Sequence, residues 1–285
     1  MRKLLISICL LFGLTAYASA NNNITVSVDF PSNLGGEQDG RLMVMFANND
    51  RSEPRFQINP SATGQIIFGK DVTDWKPGDT QTIDNGILGY PFDSLKDMPA
   101  GDYYVQTIIN RYKDFHLSNG KTVSLPPEMG EGQKWNRKPG NFYSKPMKVT
   151  ISENGAQNIE ITMDQEIPPI EPPKDTKYIK YVKMKSELLS EFWGEDVILG
   201  ANVLLPEGFD EHPEAKYPLM IFHGHFPYDF GGFSETPPDP NMEPTYSSRF
   251  GIEGYNIVQA QAAHDFYKKW ISKNFPRFII IEIQH

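Results

Sequence analysis

Cysteine is almost missing from this sequence: one occurs in 285 residues, and that one, Cys9, sits inside the apolar run at the N-terminus. A chain that sheds this segment keeps no disulfide, no thiol nucleophile and no thiolate metal ligand. Positive charge is also short, with 27 Lys and Arg against 36 Asp and Glu for a net charge of -9. Such a balance lacks the cationic footprint that phosphate backbones or anionic lipids demand, so nucleic-acid binding is not expected. Long hydrophobic runs are absent after the N-terminus, which argues against a membrane-spanning body. What remains is the composition of a folded protein, 39% hydrophobic and 12% aromatic. Glycine and proline, 23 of each, point to many turns and away from a helix bundle.

Residues 1–20 carry Arg2 and Lys3, an apolar core from Leu4 to Leu14, and the small-residue triplet Ala18, Ser19, Ala20. That order is the pattern of a secretory signal peptide, whose core is too short to span a bilayer. The mature chain is expected to be exported, periplasmic or secreted, with no membrane attachment after cleavage.

Residues 21–165 show short alternating runs between turn residues. Ile24, Val26, Val28 and Phe30 recur at period two and share one face of a strand. Further runs surround Val44, Ile67, Val105, Val149 and Ile161. Roughly seven strands with turn signals between them predict an all-β immunoglobulin-like sandwich. The stretch 113–145 lacks periodicity and reads as an extended loop. Residues 166–176 come next as a linker in which Pro168, Pro169, Pro172 and Pro173 favour a stiff, extended spacer.

Beyond it, in 177–285, the pattern changes. Runs 178–189 and 197–205 read as a hairpin turning at Gly194, Glu195 and Asp196. The compact run Leu219, Met220, Ile221, Phe222 stops at His223-Gly224-His225. A helix capped by Asn256 and running to 274 is predicted from Ala263, Phe266, Tyr267, Trp270 and Ile271. Last comes Phe278, Ile279, Ile280, Ile281, a run of the kind buried on both faces of a parallel sheet. Only Gln284 and His285 come after the final strand, so the chain reads as the front part of a longer protein, since a parallel sheet needs helices on both faces.

The order hairpin, strand, His-Gly loop, helix, strand resembles the start of the α/β-hydrolase fold. The runs 200–209 and 216–225 resemble the second and third strands of secreted esterases. What this implies is the N-terminal part of a three-layer α/β domain from a hydrolase of carboxylic esters, its substrate a small-molecule or carbohydrate ester. The resemblance also implies an oxyanion loop at Gly224, His225 and Phe226, with His223 bracing it, because backbone N–H groups at a strand end stabilise the developing oxyanion. No G-x-S-x-G elbow is present: Gly232-Phe233-Ser234-Glu235-Thr236 lacks the second glycine and lies after no strand, so Ser234 reads as a loop hydroxyl. A fragment without the elbow is expected to be inactive alone, and no cofactor is implied.

Two other readings stand beside it. His223, His225 and Asp229 offer a zinc-type donor set, with His264 and His285 as distant candidates, although the spacing departs from the familiar clusters. Alternatively the chain is a non-catalytic carbohydrate- or surface-binding protein, with Trp75, Tyr103, Tyr112 and Trp135 forming an aromatic face on the sandwich.

Overall fold

The computed structural model describes residues 23–132, 134–153, 155–223, 230–247 and 249–284. The expected signal peptide, 1–20, lies outside them. The chain is predominantly β: of the described residues 38% lie in strands and 13% in α- and 3-10 helices together.

In chain order the first part forms β1 (Asn23–Asp29), β2 (Gln38–Ala47), β3 (Ile66–Trp75), β4 (Gln81–Ile83), β5 (Gly89–Tyr90), β6 (Gly101–Arg111), β7 (Lys113–His116), β8 (Thr122–Leu125), β9 (Phe142–Tyr143), β10 (Met147–Ile151), β11 (Ala156–Thr162) and β12 (Gln165–Glu166). The second part adds β13 (Ile179–Lys185), α1 (Glu187–Trp193), β14 (Ile198–Leu204), β15 (Leu219–Phe222), β16 (Tyr246–Ser247), β17 (Ile252–Glu253), α2 (Tyr255–Trp270) and β18 (Ile279–Gln284).

A three-stranded sheet, β11-β1-β4, faces a larger one ordered β12-β9-β6-β2-β3-β5, with β10 also on β6. This arrangement is consistent with a β-sandwich. The period-two residues of β1 drive it: Ile24, Val26 and Val28 are buried and meet Leu42, Val44 and Phe46 of β2 in one core with Trp75 and Phe142. The larger sheet is buried on its other face as well. There Met43, Met45 and Ile108 pack under Ile167, with Trp135 and Tyr143 against them. The segment expected to be an extended loop, 113–145, therefore holds the β7–β8 hairpin, β9 and the cover of an outer sheet face. Its weak periodicity reflects strands of only two to four residues, too short to show alternation. Glu166 and Ile167 also belong to this edge, since Ile167 exchanges backbone bonds with Asn141 and Gly140 at 2.9 Å each.

The second part is built on a four-stranded sheet ordered β13-β14-β18-β15, in which only β15 and β18 run parallel. One face packs on α2 and its surroundings, where Leu204, Ile179 and Ile280 meet Trp270, Phe230 and Phe233. Trp270 is buried and its Nε1–H donates to the Leu205 carbonyl at 2.9 Å, so a large apolar ring sits in the core with its polar edge satisfied. The opposite face carries Val182, Met184, Leu219 and Ile221, all exposed. The three-layer α/β expectation is corrected here. That architecture needs helices on both faces, whereas among the described residues there are only two α-helices and one of them covers one face.

Local chemistry also corrects the predicted hairpin. Both strands form, but the first ends at Lys185 and the next residues wind into α1. Ser186 caps this helix, its Oγ accepting from the Leu189 N–H at 3.3 Å, and none of the seven helical residues is β-branched. In α2 the capping position is Gly254, not Asn256. The Asn256 amide instead donates to the Glu243 carbonyl at 3.0 Å and accepts from the Thr245 N–H at 2.9 Å, tying the helix to the chain before it.

Candidate functional site

The β7–β8 hairpin of the first part grips α1 of the second. Ser118 N–H donates to the Phe192 carbonyl at 2.9 Å. Phe115 meets Trp193 edge to face, with ring centroids 5.3 Å apart, and Lys113 pairs with Glu195. Gly194 makes this approach possible. Its φ of +73° is the left-handed conformation that terminates α1, and a Cβ there would lie 2.4 Å from the His116 carbonyl oxygen. Only a residue without a side chain meets both conditions.

Beside the joint lies a groove of about 720 Å³. One wall is the end of β8 together with the residues just past it: Leu125, Pro126, Pro127 and Met129. The other is Val182, Leu189, Trp193 and Ile198, while Ile170, Pro172 and Pro173 of the proline-rich segment run alongside. Apolar side chains stand open to solvent here, Met129 at 53% and Ile198 at 52% exposure. Prolines and aromatic rings make walls that lose little conformational entropy when a ligand is covered.

Charge in the groove is mostly compensated. Lys113 neutralises Glu195, and Lys185 neutralises Asp196 at 2.7 Å. Glu128 accepts from the N–H groups of Gly130 and Gly132, both at 2.8 Å, so the first wall curls around its own carboxylate. Lys183 lines the groove, is exposed, and has no ion pair among the described residues.

Behind that wall lies a buried polar cluster. Glu131 accepts from the Met129 N–H at 3.0 Å, and burial pushes its carboxyl above the usual range, aided by Glu128 and opposed by Lys138. Lys138 is buried too, and loss of water pulls its ammonium below the usual lysine value. Its Nζ donates to the Asn141 side chain at 3.3 Å, and Asn141 in turn accepts from Arg111 N–H at 3.0 Å and donates to the Trp135 carbonyl at 2.8 Å. The wall is thereby fixed to β6.

The residues singled out in the sequence lie elsewhere. His223 stands exposed at the end of β15. Gly224, His225, Phe226, Asp229 and His285 lie outside the described residues. Ser234 donates its hydroxyl to the Thr236 carbonyl at 2.7 Å, and its own carbonyl faces His264 Nδ1 at 3.1 Å. Among the described residues no three His, Cys, Asp or Glu side chains gather as a metal site. Trp75 and Tyr103 are core residues, and Trp135 packs against Met43 and Met45, so no aromatic platform forms from that set. Sequence reasoning missed the groove because its walls come from three separated stretches that carry no motif. The pairs Pro126-Pro127 and Pro172-Pro173 were its only visible trace.

These features define a class: a predominantly β chain with an apolar groove where a hairpin of one sheet system meets a helix of another. The chain matches no protein-family model and no curated protein. The α/β-hydrolase resemblance is overturned by the strand-rich, two-helix architecture and finds no support in any family model.

No helix among the described residues is long and apolar enough to cross a membrane.

Proposed function

We propose that this chain is an exported, non-catalytic binding protein whose groove takes an amphiphile, an apolar chain bearing an anionic head. One observation carries the reading: a groove of about 720 Å³ whose walls expose Leu125, Met129, Val182 and Ile198. That volume falls within the range of small-molecule sites, which are mostly apolar with a few polar groups. Covering apolar surface in such a groove yields roughly 25 cal/mol per Å². Lys183, a cation that lines the groove and has no ion pair among the described residues, gives the anionic head its counter-charge.

In the same reading residues 21–165 are an immunoglobulin-like scaffold and 166–176 a proline-rich connection between two domains. Residues 177–285 supply the second wall, and 1–20 direct export. Alternation in β1, the four prolines and the N-terminal apolar core support these assignments.

The test is fluorescence titration of the full chain with a neutral naphthylamine probe, then displacement with a long-chain carboxylate and the matching alcohol. Ile198→Glu should abolish probe binding, while Leu219→Glu, on the far strand of the same sheet, should leave it intact. Lys183→Gln should weaken displacement by the carboxylate and not by the alcohol. Equal binding by wild type and Ile198→Glu would sink the proposal.

A further inference from the structure

We propose that Asn119, at the tip of the β7–β8 hairpin, is a self-modification site that converts to aspartate and isoaspartate through a succinimide and thereby loosens the hairpin from α1. Asn119 is exposed and precedes Gly120, which has no side chain to hinder attack. Nothing lies within 4 Å of where a Gly120 Cβ would stand, so the tip is open around the reacting bond. The Asn119 Oδ1 accepts from the Lys121 N–H at 3.0 Å. That bond polarises the side-chain carbonyl and stabilises the oxyanion that forms on it, the role backbone donors play in acyl transfer.

The step balances without any co-reactant except water. The Gly120 nitrogen gives up its proton to hydroxide and bonds to Asn119 Cγ. The Cγ–Nδ2 bond then breaks, ammonia leaves, and a five-membered imide remains. Water opens either imide carbonyl, giving aspartate through one and isoaspartate through the other. Gly120 N–H is held by the Leu117 carbonyl at 2.9 Å, so attack proceeds from the locally opened turn, an inexpensive motion at an exposed tip.

A second Asn-Gly pair shows why this one is favoured. At Asn85-Gly86 the glycine N–H donates to the Asp84 carboxylate at 2.8 Å, and a neighbouring negative charge opposes the deprotonation that attack requires. Asn154, before Gly155, lies outside the described residues. The consequence falls on the joint, because Ser118 N–H, one residue before Asn119, makes the bond to Phe192. Isoaspartate adds a methylene to the main chain of this tight turn, and either product adds a negative charge.

The full chain is incubated at mildly alkaline pH, sampled over days and mapped by peptide mass spectrometry with isoaspartate detection. The peptide holding Asn119 should gain the mass difference between –NH₂ and –OH first. Its rate should rise in proportion to hydroxide, and Asn119→Gln and Gly120→Ala should suppress it. Trp193 emission should shift as that peptide converts. Conversion at Asn85 or Asn154 ahead of Asn119 overturns the assignment, as does an Asn119 peptide no faster than asparagines that precede larger residues.

Discussion

Replacing Gly194 by Ala tests the joint, and the structure sets the size of the effect. Two penalties apply there. The left-handed conformation costs an L residue roughly 1–2 kcal/mol. A Cβ 2.4 Å from the His116 carbonyl oxygen adds a clash with main chain, which cannot swing aside as a side chain would. Overpacking of that kind costs about 1–3 kcal/mol. The hairpin has an alternative, which is to let go. It then forfeits the Ser118–Phe192 hydrogen bond, worth about 1 kcal/mol, and the Phe115–Trp193 ring contact, worth about 0.5–1.5 kcal/mol. The exposed Lys113–Glu195 pair adds less than about 1 kcal/mol. The smaller of the two routes governs, so the joint contributes about 2 kcal/mol beyond the backbone term. Gly208→Ala supplies the reference, because Gly208 has φ +78° but its nearest neighbour to a Cβ is the His212 ring at 3.6 Å, an ordinary contact. Urea unfolding monitored by tryptophan fluorescence should place Gly194→Ala about 2 kcal/mol below Gly208→Ala. Agreement of the two variants within about 0.5 kcal/mol would refute the claim that the hairpin presses on α1 at this glycine.

Buried polar groups give two further outcomes. Asn202, in the middle of β14, is fully buried, and neither its Oδ1 nor its Nδ2 has a hydrogen-bond partner among the described residues. Asn202→Val should therefore raise stability by about 1–3 kcal/mol in thermal or urea unfolding, and a loss would show that the amide is satisfied. For Glu131 the sign runs through its raised folded-state pKa. The folded chain holds that proton more tightly than the unfolded one, so stability declines as pH rises from about 4.3 through the raised value. Glu131→Gln should remove this decline and gain on the wild type progressively above about pH 4.3, and parallel pH profiles would show that the carboxyl is not buried.

How much of this was legible in the sequence depended on whether the physical signal was local. The alternation of Ile24, Val26 and Val28 announces a one-sided strand, because burial on one face imposes period two, and all three are buried. In β2 that rule fails. Met43 and Met45 sit between inward residues yet are buried as well, covered by Ile167 and Trp135 from far along the chain. α1 was hidden because Leu188 and Leu189 extended the apparent strand run past the Ser186 cap, while Gly194, which stops the helix, read as the turn of a hairpin. The groove stayed invisible for a different reason: apposition of Leu125, Ile170 and Ile198 is a product of tertiary docking, and no residue spacing encodes it. His223 drew attention as a motif, yet it stands in solvent at a strand end.

The pairing of β1 with β11 carries a consequence for how the chain assembles. Val26 lies beside Ile159 in a parallel ladder and opposite Ile83 of β4 on its other edge, so one edge of the first strand waits for a partner more than a hundred positions later. Closing so wide a loop is entropically slow, and topologies rich in distant pairings fold slowly. During synthesis Val26 and Val28 meet the residues of β4 early, while the edge of β1 that pairs with β11 stays open until 156–162 arrives. The strand that begins the described fold is thus closed on both edges only late, and until then its open edge is a template for pairing with another chain.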